Sequence, residues 1–251
     1  MISAVVLTKN GEQKLRSCLE SLRWCDEILV IDDGSTDNSV KLAKSLGAKV
    51  LGHELAGDFA RQRNFGLQKA QGDWVLFVDD DERVNSELAA EIQREIKSET
   101  PADGYFFKRI DFFGGRWLKH GEIGQIRLLR LARKEAGKWT RPVDEVWEIS
   151  GETKAFKYPL LHYSHSNLTE FLETINQRSS LNALVFYQEG KKVNLWEWLK
   201  PLAKFWQGFI WYGGWRDGVP GFVFAVLMSL HSFLVRGKLY LLWRRQGGWN
   251  E

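Results

Sequence analysis

Three short apolar runs, Ser3 to Leu7, Glu27 to Ile31 and Trp74 to Val78, punctuate the first eighty residues, and each gives way abruptly to polar residues. Runs of this length bounded by polar clusters read as buried strands. Between them the period changes. Gln13 to Leu22 places Leu15, Cys18, Leu19 and Leu22 at helical spacing. Asp37-Asn38-Ser39 offers a cap for a helix through Leu46, and Gly47 can close it before a short strand near Ala48 to Leu51. Residues 58 to 70 predict a further helix, stopped near Gly72. Strands alternating with helices imply an α/β fold with a mostly parallel sheet.

Further on, Glu87 to Ser98 is again helical and Pro101 follows. Strand-like stretches near Gly104 to Ile110 and Gln125 to Leu131 flank a glycine-marked segment with Gly114-Gly115, Gly121 and Gly124, a candidate mobile loop. Asn167 to Glu189 reads as an amphipathic helix. Val219 to Val235 is almost continuously apolar, and Arg236-Gly237-Lys238 interrupts it before Leu239 to Trp243. Seventeen residues is the lower limit for a membrane span, so helices lying in the interface account better for the pattern. A helix pair packed on the first domain, or in a homo-oligomer, is the alternative. The expected domains are residues 1–166 and a C-terminal helical, membrane-associating region, 167–251.

Charge sharpens this division. Of the 251 residues, 1–190 carry 26 Lys and Arg against 29 Asp and Glu, whereas 191–251 carry 9 against 3 and hold seven of the twelve tryptophans. A basic, Trp-rich segment fits the headgroup level of a membrane. Nucleic acid is not an expected partner. Two cysteines, Cys18 and Cys25, make no disulfide framework, and the N-terminus lacks the charged start of a signal peptide. The expectation is a cytoplasmic protein, peripherally bound to the inner face of the plasma membrane.

Candidate chemistry gathers where ligands bind in open α/β sheets, beyond the carboxyl ends of the strands. Thr8-Lys9-Asn10, Asp32-Asp33-Gly34-Ser35 and Asp79-Asp80-Asp81-Glu82 converge there. Four consecutive carboxylates repel one another and invite a divalent cation. Alternation along an extended chain would put Asp79 and Asp81 on one side and Asp80 on the other.

These segments, with Arg61-Gln62-Arg63-Asn64-Phe65-Gly66-Leu67, closely resemble the GT-A fold glycosyltransferases of family 2, and the later segments resemble the lipopolysaccharide-core branch of that family. The resemblance implies that Thr8, Asn10 and Asp32 border the nucleoside, that Arg63 lies near the nucleotide while Asn64 braces the loop, and that Asp79 and Asp81 form the DxD pair. In that pair Asp81 would bind Mg²⁺ or Mn²⁺ directly, with Asp79 on the ribose or a metal-bound water. It also implies His162 as a metal ligand, with His165 second, and Glu145 as the catalytic base, with Asp144 the alternative. The implied activity is inverting transfer of a hexose from a nucleotide diphosphate sugar, UDP-glucose by expectation, to a lipid-linked saccharide such as the lipopolysaccharide inner core. A sugar nucleotidyltransferase and a non-catalytic membrane scaffold are the alternatives. The first lacks its glycine-rich phosphate loop here, since Leu7-Thr8-Lys9-Asn10-Gly11 has one glycine.

Overall fold

The computed structural model describes residues 1–163 and 167–245. They fall into two compact units, the first made of Met1–Ile110 and Arg127–Tyr163, the second of Asp111–Ile126 and the chain after residue 163.

In the first unit, β1 (Ile2–Thr8), α1 (Glu12–Ser21), β2 (Glu27–Asp32), α2 (Ser39–Ser45), β3 (Lys49–Gly52), α3 (Phe59–Lys69) and β4 (Trp74–Asp79) alternate as the periodicity predicts. A turn leads to β5 (Glu82–Arg83), and α4 (Ser86–Ile96), β6 (Gly104–Phe113, whose last three residues belong to the second unit), β7 (Arg116–Leu118, in the second unit), β8 (Arg127–Arg133), β9 (Gly137–Thr140), β10 (Val146–Ile149), β11 (Thr153–Ala155) and β12 (Leu160–His162) follow. The sheet order is β3-β2-β1-β4-β8-β6-β12-β5. Its first four strands are parallel, and β8 joins β4 antiparallel, so the sheet is mixed. β9 and β10 form a separate antiparallel hairpin.

Strand alternation explains the two-sided core. Ala4, Val6, Val30, Leu76 and Val78 pack on one face with Leu15, Cys18 and Leu19 of α1. Val5, Leu7, Leu29, Ile31, Val75 and Phe77 pack on the other with Ala60 and Leu67 of α3. Successive side chains point to opposite faces, and parallel strands covered on both faces become continuously apolar. Gly66 lets α3 approach closely, because a Cβ there would sit 2.6 Å from Val5 Cγ1. Side-chain oxygens cap the helices. Asp58 accepts from Arg61 N and Asn85 from Leu88 N, each at 2.9 Å.

The second unit contains β7, which pairs with Asp111–Phe113, and the helices α5 (Leu168–Gln188), α6 (Lys200–Trp206) and α7 (Gly218–Arg245). Gly114 and Gly115, with φ of +57° and +80°, form the β6–β7 turn, so these glycines serve a hairpin rather than a loose loop. Phe171 and Ile175 of α5 pack with Leu227 of α7, and Ala183 with Leu239. Arg236-Gly237-Lys238 does not interrupt the last helix, contrary to the sequence reading. The reason is that both cations find partners within the unit. Lys238 Nζ donates to Asn176 Oδ1 at 2.7 Å and to Ser179 Oγ and Ser180 Oγ at 2.8 Å, and Arg236 Nε lies 3.2 Å from Glu197 Oε2.

Candidate active site

β1, β2 and β4 end side by side, with Thr8 in register with Asp32 and Leu7 with Asp79. The loops beyond them therefore share one edge. Non-glycine residues with positive φ mark this region: Asn10, Ala56, Arg141 and Asp144 have φ of 52°, 48°, 68° and 51°. Such conformations cost energy and persist where the surroundings over-determine them.

Asp32 is buried and its Oδ2 accepts from Ser35 N at 3.1 Å, while its Oδ1 is buried with no hydrogen-bond partner among the described residues. An orphaned carboxylate oxygen is unfavourable until a donor reaches it. Asn10 Oδ1 accepts from Thr36 N at 2.8 Å, which ties the first loop to the second. Beside them an open depression of about 440 Å³ is lined by Lys9, Asp33, Gly34, Glu54, Leu55, Ala56 and Gly57.

The acidic run does not stay extended. β4 ends at Asp79, and Asp80 and Asp81 form the turn into β5, so strand alternation does not govern them. The carboxylates instead go to separate partners. Asp79 Oδ1 accepts from Arg63 at 2.9 Å and its Oδ2 from Arg130 at 2.6 Å. Asp80 Oδ2 accepts from Thr8 Oγ1 at 2.6 Å. Asp81 Oδ1 lies 3.4 Å from His162 Nε2. Glu82 is fully buried, accepts from Asp79 N at 3.0 Å and lies 3.3 Å from Arg130. Arg83 fixes the turn by donating to the carbonyls of Asp80, Glu82 and Lys14. Gly11 makes room for it, since a Cβ there would meet Asp80 Oδ2 at 2.3 Å.

Proton affinities follow these partners. Burial pushes the Asp79 carboxyl up, but Arg130 and Arg63 outweigh it and hold the group well below the usual carboxylate range. Asp80 is pushed up to about 6 by burial, against the Thr8 hydrogen bond and with the help of the Asp81 and Asp79 charges. Burial also opposes ionisation of Asp81, but His162 brings it below its ordinary value. Burial raises Glu82 despite Arg130.

Arg63 is the hub. Its side chain is 3% exposed, so it is no surface ion pair. Nε donates to Glu145 Oε1 at 2.8 Å while the same guanidinium serves Asp79, and it lies 4.7 Å from the ring of Trp139. Asn64 and the Trp139 backbone exchange two hydrogen bonds, of 2.8 and 2.9 Å, which brace β9 against α3 as expected of this residue. The β9–β10 loop carries Glu145, and Phe59 N donating to Pro142 O ties that loop to the start of α3. Glu145 Oε2 makes no hydrogen bond among the described residues, whereas its neighbour Asp144 is exposed.

The structure thus assembles Arg63, Asp79 and Glu145 in one cluster and pairs Asp81 with His162. It places Thr8 beneath Asp80 rather than open to the edge. Each Asp79 oxygen already accepts from a guanidinium, and each keeps a second lone pair. His165 lies outside the described residues. Arg130 was missed as a member of the cluster, whereas Glu82 belongs to the acidic run already singled out. The signal for Arg130 was an arginine among the leucines of a strand, which demands a buried carboxylate.

No three ligand-type side chains converge on a metal position among the described residues. Asp81 and His162 do suit a cation shared with a diphosphate. Two bonds of about 2.1 Å at right angles put donors about 3 Å apart, and Mg²⁺ keeps waters and substrate oxygens at its other positions.

A mixed sheet with parallel strands running to an acidic edge, followed by a long apolar helix, makes this a GT-A-like α/β protein. Residues 3–156 match Glycosyl transferase family 2, and the chain belongs to that family. It is 27% identical over 247 residues to the lipopolysaccharide core biosynthesis glycosyltransferase LpsC of Rhizobium meliloti, covering 95% of this chain and 92% of that protein. S. aureus TarS in complex with UDP-GlcNAc superposes with a TM-score of 0.51 at 16% identity, covering 100% of this chain and 93% of that one. Glucosyl-3-phosphoglycerate synthase of Mycobacterium tuberculosis, with Mn²⁺, UDP and glucosyl-3-phosphoglycerate, does so with a TM-score of 0.50 at 17% identity, covering 77% and 81%.

Proposed function

We propose that this family 2 enzyme is an inverting hexosyltransferase, taking glucose from UDP-glucose and delivering it to a membrane-held saccharide of the lipopolysaccharide inner core. The observation that carries this reading is Arg63, which joins the acidic edge to Glu145 through one buried guanidinium. Glu145 Oε1 is held by Arg63, and Oε2 takes the proton of the acceptor hydroxyl as that oxygen attacks the anomeric carbon. Asp32 offers its unpaired oxygen to a donor on the base. Asp81 and His162 would hold Mg²⁺ or Mn²⁺, which when bound neutralises charge on the departing diphosphate. The UDP-GlcNAc and Mn²⁺ complexes of the two structural neighbours support a nucleotide-sugar donor and a divalent cation, and LpsC supports the acceptor class. Family membership weighs against a nucleotidyltransferase.

The helical unit supports attachment to the membrane surface. Gly214–Arg245 is long and apolar enough to cross a bilayer, yet only 22% of its most apolar window is buried. Its partner α5 carries Glu170, Glu173 and Arg178. A spanning α7 would take those charges with it, so it lies in the interface. Trp196, Trp206, Trp211 and Trp215 are 75%, 63%, 85% and 55% exposed, as interfacial anchors are.

The test is UDP release from UDP-glucose with Mn²⁺ and lipopolysaccharide-core acceptor. Glu145→Gln is expected to lower kcat by about 10² to 10⁴ with the donor KM little changed, while Asp144→Asn turns over normally. Normal turnover in Glu145→Gln with loss in Asp144→Asn moves the base by one residue. Faster release from another nucleotide sugar replaces glucose as the donor sugar.

A further inference from the structure

Apart from its tryptophans, the helical unit concentrates charge at one place. Residues 191–245 hold two carboxylates, Glu197 and Asp217, against nine lysines and arginines. Both acids are engaged inside the unit. Glu197 Oε2 lies 3.2 Å from Arg236 Nε, and the buried Asp217 has its Oδ1 2.8 Å from His120 Nδ1. Four of the cations gather where the carboxyl ends of α5 and α7 meet, over a floor of Ala183, Val193 and Leu239. Tyr187 and Trp243 pack there with ring centroids 4.6 Å apart, and Trp243 Nε1 donates to Lys191 O at 2.8 Å, so the two helix ends are locked together.

Lys191, Lys192, Arg244 and Arg245 are all exposed at this corner. Aromatic rings hold three of them. Lys191 Nζ lies 4.3 Å from the ring centroid of Phe186, Lys192 Nζ 5.4 Å from that of Trp243, and the Arg244 guanidinium 5.8 Å from that of Tyr240. A ring face attracts a cation without consuming its N–H groups, which stay available to an anion. Lys191 also meets Glu189, 2.7 Å away, whereas Lys192 and Arg245 face no carboxylate within ion-pair range among the described residues. The adjoining surface is apolar. Phe222, Val226, Leu230, Phe233 and Leu241 stand exposed along one side of α7, and Arg244 continues that stripe three residues past Leu241.

We propose that this corner binds the phosphates of anionic phospholipid headgroups, so that the protein distinguishes an acidic leaflet from a zwitterionic one. The occupant follows from what adjoins what. Cations alone would suit any phosphate, but cations at the end of an exposed apolar stripe find both partners at the surface of a charged leaflet, where headgroup and acyl chain lie one above the other. A nucleic acid offers phosphates and nothing for the stripe. The 28 residues of α7 set the corner about 40 Å from Trp215, so charge and indoles are separate attachments at opposite ends of one rod. This inference rests on the interfacial reading above and names its lipid.

The test is sedimentation of the full chain with phosphatidylcholine vesicles, with and without phosphatidylglycerol. Wild type is expected to partition at least about tenfold more strongly onto the acidic vesicles, and to lose that preference in about 1 M salt, where the screening length falls to about 3 Å. Arg244→Gln with Arg245→Gln, and separately Lys191→Gln with Lys192→Gln, should each lower partition onto acidic vesicles about tenfold and leave partition onto phosphatidylcholine unchanged. Arg244→Lys with Arg245→Lys should keep the preference, since the charge is retained. Equal wild-type partition onto both vesicles overturns the proposal and leaves the interfacial reading standing, whereas no partition onto either removes both. An unchanged preference in the two Gln pairs also overturns it, and a lower melting temperature there would assign the cations to the helix ends. Full competition by inorganic phosphate, or by a single-stranded oligonucleotide at equal phosphate concentration, overturns it in favour of a soluble anion or a nucleic acid.

Discussion

Both units have apolar cores, but they differ in what lies at their surfaces and edges. In the first, apolar side chains fill both faces of the sheet and the ionised groups are drawn under at one edge, where Arg63 and Arg130 balance Asp79 and Glu82. In the second, an apolar seam joins α5 and α7 while many indole rings and leucines stand outside, and Lys238 of α7 is held near the surface by Asn176, Ser179 and Ser180 of α5. A unit that hides charge needs its counter-ions in place to fold. A unit that displays apolar surface needs another phase beside it. Substitutions should therefore damage the two units in different currencies, stability in one and attachment in the other.

The largest stability effect is expected from Arg130→Met. It leaves Glu82 fully buried without its ion-pair partner and Asp79 with one guanidinium, and removing one partner of a buried pair costs about 3–5 kcal/mol. Thermal unfolding of the purified protein reads it, and a melting temperature equal to wild type would mean that the cluster is solvated. Next comes the double change Trp211→Ser and Trp215→Ser. Withdrawing two indoles should weaken vesicle partition more than about tenfold, with little change in melting temperature. A large drop in melting temperature would show instead that these rings hold the fold.

The smallest effect concerns Asp80. Its folded carboxyl is pushed up to about 6, above the unfolded value of about 3.9, so the stability tied to the bound proton is full below the latter and is lost as pH rises through the former. Asp80→Asn keeps an acceptor for Thr8 and removes that loss. In chelator, the variant should melt higher than wild type at pH 7.5 and alike at pH 4. A gain that persists at pH 4 would assign it to packing rather than to charge.

The parallel half of the sheet was legible because its strands are apolar on both faces and its helices keep a 3.6-residue period. Thr8, Asp32 and Asp79 were placed correctly at strand ends for the same reason. What escaped depended on chain reversals and distance. The turn at Asp80-Asp81 broke the alternation argument, which had carried the extended chain past the end of β4 at Asp79. Arg130 lies 51 residues from Asp79, and Asp217 lies 97 from His120, so each pairing exists only after folding. The cationic interruption at Arg236-Gly237-Lys238 misled because local composition cannot see Asn176, Ser179 and Ser180 waiting on another helix.

One short stretch of α3 has a wider consequence. Arg63 touches the acid at the end of β4 and the acid in the β9–β10 loop, Asn64 clasps β9, and Gly66 lies flush on β1. Arg63, Asn64 and Gly66 thus act as a gauge block, fixing the spacing between Asp79 and Glu145 from a single rigid part. A change in that one helix would therefore shift both acids together rather than one against the other.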